Sequence, residues 1–171
     1  MLRYYQANYE FITDTKLDGK FNSIMFFLEK SLKMLRSKGF LSNIIDISFN
    51  DVPYRYIRKY LLENSKILSL IYGISDFENV ISDQAILFLR KEKIKKHQVN
   101  YVKNFKNLLL QKEDAIHKVE QDYWLSTKNY EFSVPLEGNV LSIINKIKNN
   151  QTISDFYPGK LFRTCMRSAG H

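Results

Sequence analysis

Apolar residues change their spacing several times along this chain, and the changes divide it into elements. Ile24, Phe27, Leu28, Leu32 and Leu35 recur at three and four residues, with Lys30, Lys33 and Arg36 between them. That period predicts an amphipathic helix from Phe21, with Gly39 where a C-cap glycine would stand. FLSNIIDISF, residues 40–49, is β-branched and aromatic and has the length of a strand. Asp51-Val52-Pro53 restarts a helix with an Asp cap and an early Pro. Its apolar stripe is Tyr56, Ile57, Tyr60 and Leu61, and Arg55, Arg58 and Lys59 form its wet face. ILSLIYGI (67–74) and QAILFLR (84–90) are two further strands around a turn from Ser75 to Asn79. Too few residues separate them for a parallel crossover, which takes about a dozen, so the last strand is expected to run antiparallel.

The flanks are less regular. Residues 1–19 are aromatic and polar without a clear period, and Asp18-Gly19 reads as a turn. Beyond residue 91, Val102, Phe105, Leu109, Ile116, Val119 and Tyr123 fit one helical face. NYEFSV (129–134) predicts a short strand and VLSIINKIKNN (140–150) a short helix, with a loop-like stretch from Ser154 onward.

Composition narrows the classes. With 171 residues, 44% hydrophobic and 26% charged, the chain is that of a globular protein rather than a disordered one. Six Gly and three Pro imply long regular elements. No apolar run reaches the roughly 18 residues of a membrane span, so no membrane role is expected. The single Cys165 excludes an internal disulfide and makes a reducing, cytoplasmic setting the expectation. The net charge of +8 favours acidic partners, nucleic acid above all. Seven basic residues and one acid lie between Arg90 and Lys106.

Catalytic signatures are scarce. The sequence holds neither a G-x-G turn nor a P-loop. Its three His, at 97, 117 and 171, have no metal-ligand spacing, so no metal site and no catalytic residue is expected within the chain.

Two stretches carry a resemblance. "DGKFNSIMFFLEKSLKMLRSKGFLSNIIDISF" and "IRKYLLENSKILSLIYGISDFENVISDQAILFLRK" resemble the part of the bacterial DNA adenine-N6 methyltransferases of restriction–modification systems that follows their Asn-Pro-Pro-Tyr motif. In that family a helix ends in an "LL-x-x-G-G" turn before a strand finishing near "Pro-Asn-Ser-Phe". Leu35 and Gly39 match the turn, and Ser48-Phe49 the strand end, while Asp46 and Ile47 replace the Pro and Asn. "R-K-Y-L-L-E-N" and the hairpin with Phe77, Glu78 and Ala85 match as well, and "NVLSIINKIKNNQTISDFYPGKLFR" looks like the opening of a target recognition domain.

The resemblance implies an α/β fold: the C-terminal half of a class I (Rossmann-like) methyltransferase sheet with an antiparallel last strand, followed by a helical segment. It divides the chain into the end of a catalytic domain (1–91), a basic helical linker (92–125) and the start of a truncated recognition domain (126–171). It implies methyl transfer from S-adenosylmethionine to adenine N6 in double-stranded DNA, with Phe77 stacking on the extruded adenine. Lys91, Lys93, Lys95, Lys96, Lys103 and Lys106 are the expected phosphate contacts. The glycine-rich cofactor turn and the Asn-Pro-Pro-Tyr loop do not occur in this sequence. The chain is therefore expected to bind no cofactor alone and to be complemented by an upstream polypeptide. The alternative is a small basic nucleic-acid-binding or assembly subunit without enzymatic activity.

Overall fold

A computed structural model describes residues 2–12, 22–74, 81–94, 96–103, 116–136 and 138–150. Its elements are helices α1 (Leu2–Asn8), α2 (Ser23–Met34), α3 (Arg55–Asn64), α4 (Gln121–Ser126) and α5 (Gly138–Lys148). Its strands are β1 (Phe40–Asp46), β2 (Lys66–Ile74), β3 (Gln84–Arg90), β4 (Gln98–Lys103) and β5 (Ile116–Glu120). Residues up to Pro135 form one compact unit, and Leu136–His171 belong to a second.

The sheet order is β1-β3-β2-β4-β5. β3 is antiparallel to β1 and to β2, its two neighbours, as the short connection from β2 demands. β2 and β4 are parallel, and β5 returns antiparallel along β4. β1, β2 and β4 therefore point the same way. On one sheet face, Ile45, Ile67, Leu70, Ala85, Leu87, Leu89, Val99, Tyr101 and Val119 are buried with Leu28, Leu32, Ile57 and Leu61 of α2 and α3. On the opposite face Phe40 is 67% exposed, Ile44 55% and Ile116 40%, while Val102 is buried. Among the described residues, β1 is an edge strand.

The described residues of 92–125 do not follow the expected helix: Gln98–Lys103 and Ile116–Glu120 are the strands β4 and β5, and among these described residues Gln121–Ser126 is helical. Val99 and Tyr101, two apart, face the helical layer, and Val119 pairs with Val99. The exposed backbone edge of β2 overrides a weak 3.6 period. Phe105 and Leu109 lie outside the described residues.

Smaller corrections have local causes. α2 ends at Met34, and the left-handed residue after it is Lys38, at φ 62°, not Gly39. Gly39 is needed for a close approach instead, because a Cβ there would stand 2.9 Å from the Arg36 carbonyl oxygen. β1 stops at Asp46, whose carboxylate accepts the Ser48 amide and starts a 3-10 turn over Ile47–Asn50. Asp51 makes no side-chain cap; Pro53 sits in a second 3-10 turn, and α3 begins at Arg55. The aromatic start of the chain is helical in α1, whose Tyr5 packs on Phe26 at 4.6 Å between ring centroids. Residues 129–134 are not a strand: side chains from elsewhere hold their backbone. In the second unit, α5 matches the predicted helix and leaves Val140, Ile143 and Ile147 exposed.

Candidate functional site

In open α/β sheets, ligands gather beyond the carboxyl ends of the parallel strands. Here that end holds Asp46 of β1, Ile74 of β2 and Lys103 of β4, together with the start of β3 at Gln84. Phe77 lies outside the described residues, between Ile74 and Ile81, which flank it in sequence at this end.

Asp46 organises the described part. One carboxylate oxygen accepts the Ser48 amide at 2.8 Å, and the other accepts the Ser82 hydroxyl. Ser48 and Ser82 together hold this carboxyl below its ordinary range. The Ile47 amide donates to the Asp83 carbonyl at 3.0 Å, and Gln84 donates to the Ser82 carbonyl at 3.0 Å. The loop after β1 is thus tied to the residues that lead into β3. Tyr72 of β2 adds a bond from its hydroxyl to the Ile47 carbonyl at 3.0 Å.

Beside Asp46 opens a cleft of about 180 Å³ lined by Asn22, Ile24, Ile44, Ile45, Phe49 and Tyr54. The Phe49 and Tyr54 rings stand 5.5 Å apart at 50°, and Asn22 donates its amide to the Tyr54 hydroxyl at 2.9 Å. The Asn22 side-chain oxygen accepts the Ile24 amide at 3.0 Å, so both ends of this amide are engaged within the fold.

Arg58 anchors the floor. The sequence pattern puts it on the wet face of α3, yet it is completely buried. Its guanidinium donates to the carbonyls of Phe49, Asp51 (2.8 Å), Asn129 (2.8 Å) and Tyr130 (2.9 Å). A rigid fork of donors met by carbonyl oxygens is what makes such burial tolerable. Burial lowers the guanidinium to about 10, against the opposing fields of Glu131 and Asp51, so it is charged at neutral pH. The available signal is register: Arg58 shares the i, i+3, i+4 row with Leu61 and Leu62.

The six lysines separate. Lys91 follows β3, and its ammonium donates to the Lys33 and Leu35 carbonyls, each at 2.7 Å. Lys93 and Lys96 are exposed near the same end of the sheet, ~20 Å along β3 from Gln84 at the rise of a strand. Lys103 ends β4, at the Asp46 end of the sheet. Lys95 and Lys106 lie outside the described residues.

S-adenosylmethionine does not fit the described residues of the Asp46 end. The cleft is smaller than the roughly 300–1,000 Å³ of sites enclosing ligands of that size. Both carboxylate oxygens of Asp46 are already engaged within the loop. Among the described residues, no group of three His, Cys, Asp or Glu side chains could hold a metal ion. No described helix is long and apolar enough to cross a membrane.

No family model matches the chain. Among curated proteins it is similar to the type II restriction enzyme and methyltransferase RM.Eco57I of Escherichia coli, 26% identical over 155 residues. That match covers 81% of this chain and 16% of the relative, so the chain spans about one sixth of that protein's length. A solved structure from a type I restriction–modification system is similar in fold, with a TM-score of 0.52 and 10% identity. It covers 73% of this chain and 36% of the other. The M protein of the type I restriction enzyme EcoKI gives a TM-score of 0.42 at 12% identity, over 55% of this chain and 22% of that one.

Proposed function

We propose that the chain supplies the trailing strands of the catalytic sheet in a DNA adenine-N6 methyltransferase of a restriction–modification system. Residues 75–80 would present Phe77 to an adenine swung out of the duplex. One observation supports this above the others. Antiparallel β3 lies between the parallel strands β1 and β2, the ending that the family resemblance implies, in a chain whose sequence relative is a restriction enzyme and methyltransferase.

Extruding a base costs a few kcal/mol of stacking and pairing. An aromatic face returns about 1–3 kcal/mol of it. Phe77 would supply that face at the strand ends, close in sequence to Ser82, which Asp46 holds. Glycine-rich and Asn-Pro-Pro-Tyr elements, with the S-adenosylmethionine they hold, would come from a partner segment. Among the described residues the outer edge of β1 carries no strand, so it would offer that segment backbone groups to pair with, and Phe40 and Ile44 would offer it apolar cover. Lys93, Lys96 and Lys103 would meet duplex phosphates, and the residues beyond α4 would lead into target recognition.

Binding to a mismatched target tests the reading. A duplex whose target adenine is mispaired should bind the assembled protein about tenfold more tightly than the paired duplex, because extrusion costs less. Phe77→Ala should weaken both by a similar factor. Equal affinity for the two duplexes would remove base extrusion from the account.

A further inference from the structure

We infer that Arg58 and Asn50 form a positioning clamp: they lock the loop that walls the cleft to the segment 127–134, so that the two move as one body. The clamp stands on its geometry; its effect on methyl transfer rests on the methyltransferase reading.

The contacts are reciprocal and concentrated. Arg58 donates to Phe49 and Asp51 on the loop side, and to Asn129 and Tyr130, 71 and 72 residues further along the chain. Asn50 then pairs with Phe132 as one strand residue pairs with another. Its amide donates to the Phe132 carbonyl at 3.2 Å, and its side-chain oxygen accepts the Phe132 amide at 2.8 Å. Phe49, which walls the cleft, also packs on Phe132 at 6.2 Å between ring centroids. The loop and the segment thus share polar and apolar contacts along their length.

The segment is prestressed for one conformation. Tyr130 sits at φ 55°, a left-handed value that costs a non-glycine residue on the order of 1 kcal/mol. Its amide donates to the Thr127 carbonyl at 3.2 Å, and the Glu131 amide to the Thr127 hydroxyl at 2.8 Å. Trp124 fixes the far side, its indole donating to the Ser133 carbonyl at 2.7 Å and its ring 4.7 Å from that of Phe132. The carbonyls of Asn129 and Tyr130 point at Arg58 because of this turn. Residues 127–134 also lead in sequence to Leu136, where the second unit begins. A change in the segment is thereby passed to Phe49 and the cleft.

Hydrogen exchange on the full chain tests the clamp, with Asn50→Ala as the milder variant and Arg58→Lys as the second. Peptides covering 46–54 and 127–134 should both exchange about tenfold faster, by matching factors, which corresponds to about 1.4 kcal/mol of local opening. Peptides covering the β1–β3 ladder should be unchanged. Emission of Trp124, the sole tryptophan, should shift to the red with the same peptides. If only one of the two segments loosens, or if all peptides loosen equally, the clamp is refuted. In the assembled enzyme, Asn50→Ala should lower kcat about tenfold with little change in KM for DNA. Absence of any methyl transfer by the unsubstituted assembled enzyme would count against the proposed function alone, since the exchange result decides the clamp.

Discussion

The ammonium of Lys91 stands 2.7 Å from the carbonyl oxygen of Leu35, two residues beyond the lysine carbonyl it also meets at 2.7 Å. The chain between them folds back so that the last residues of β3 close the end of α2. The Lys38 amide donates to the Lys91 carbonyl, and the Lys91 amide to the Gly39 carbonyl, at 2.9 and 2.8 Å. A cation on the free carbonyls of a helix end is favourable both as a hydrogen-bond donor and against the helix dipole. Replacing Lys91 with Met should therefore lower unfolding stability by about 1 kcal/mol, read as a shift in the denaturant midpoint at constant slope.

Lys93 and Lys96 are exposed, and the same substitution there should leave stability within about 0.5 kcal/mol. Their expected effect is on DNA affinity. Each phosphate that a lysine no longer neutralises should flatten the plot of log affinity against log salt by about 0.9. An unchanged slope in the Lys93→Gln, Lys96→Gln double variant would take both residues out of the interface.

Burial pushes the hydroxyls of Tyr60 and Tyr101 up to about 12. Unfolded tyrosine ionises near 10, so between about 10 and 12 the folded state holds protons that the unfolded state has released. The stability from these two residues is therefore complete below about pH 10 and is lost as pH rises toward 12. Ionisation of either hydroxyl therefore destabilises the fold, the two residues being only 7% and 3% exposed. Absorbance of tyrosinate should show both titrating last, together with alkaline unfolding. Replacing Tyr101 with Phe should move that unfolding to higher pH.

Among the described residues β1 is flanked on one side only, and Phe40 and Ile44 are exposed on the sheet face away from α2 and α3. An apolar edge of this kind seeks a second strand. At rising concentration the chain alone should self-associate in sedimentation velocity runs. Ile44→Lys should shift it toward monomer with little change in stability, since the side chain is already half in water. Unaltered association of that variant would place the sticky surface elsewhere.

These outcomes reflect how unevenly the sequence declares itself. The 3.6 period of α2 and the β-branched runs of β1, β2 and β3 have one dominant cause each, burial against a single layer, and periodicity exposes it. The antiparallel turn from β2 to β3 follows from chain length alone. β4 and β5 are hidden because Val99, Tyr101 and Val119 supply only brief alternation, and their strand state depends on the edge that β2 presents. Arg58 misleads for a related reason: a charged residue on a helix is usually solvated, and two of the four carbonyls that make its burial tolerable belong to Asn129 and Tyr130, far off in sequence. The cleft at Asp46 is legible in part. The resemblance singles out Phe49 of its lining, whereas Asn22 and Tyr54 join it through the fold.

Methyl transfer by the reassembled protein decides whether these strands complete a catalytic sheet. The chain is mixed with a polypeptide carrying a glycine-rich cofactor turn and an Asn-Pro-Pro-Tyr loop from the same system. Transfer of a labelled methyl group from S-adenosylmethionine to adenine N6 in duplex DNA is then followed. The mixture should transfer the methyl group, neither polypeptide alone should, and Phe77→Ala should lower transfer about tenfold. A stable complex of the two that leaves adenine unmodified, or full activity without the Phe77 ring, would contradict the proposed function.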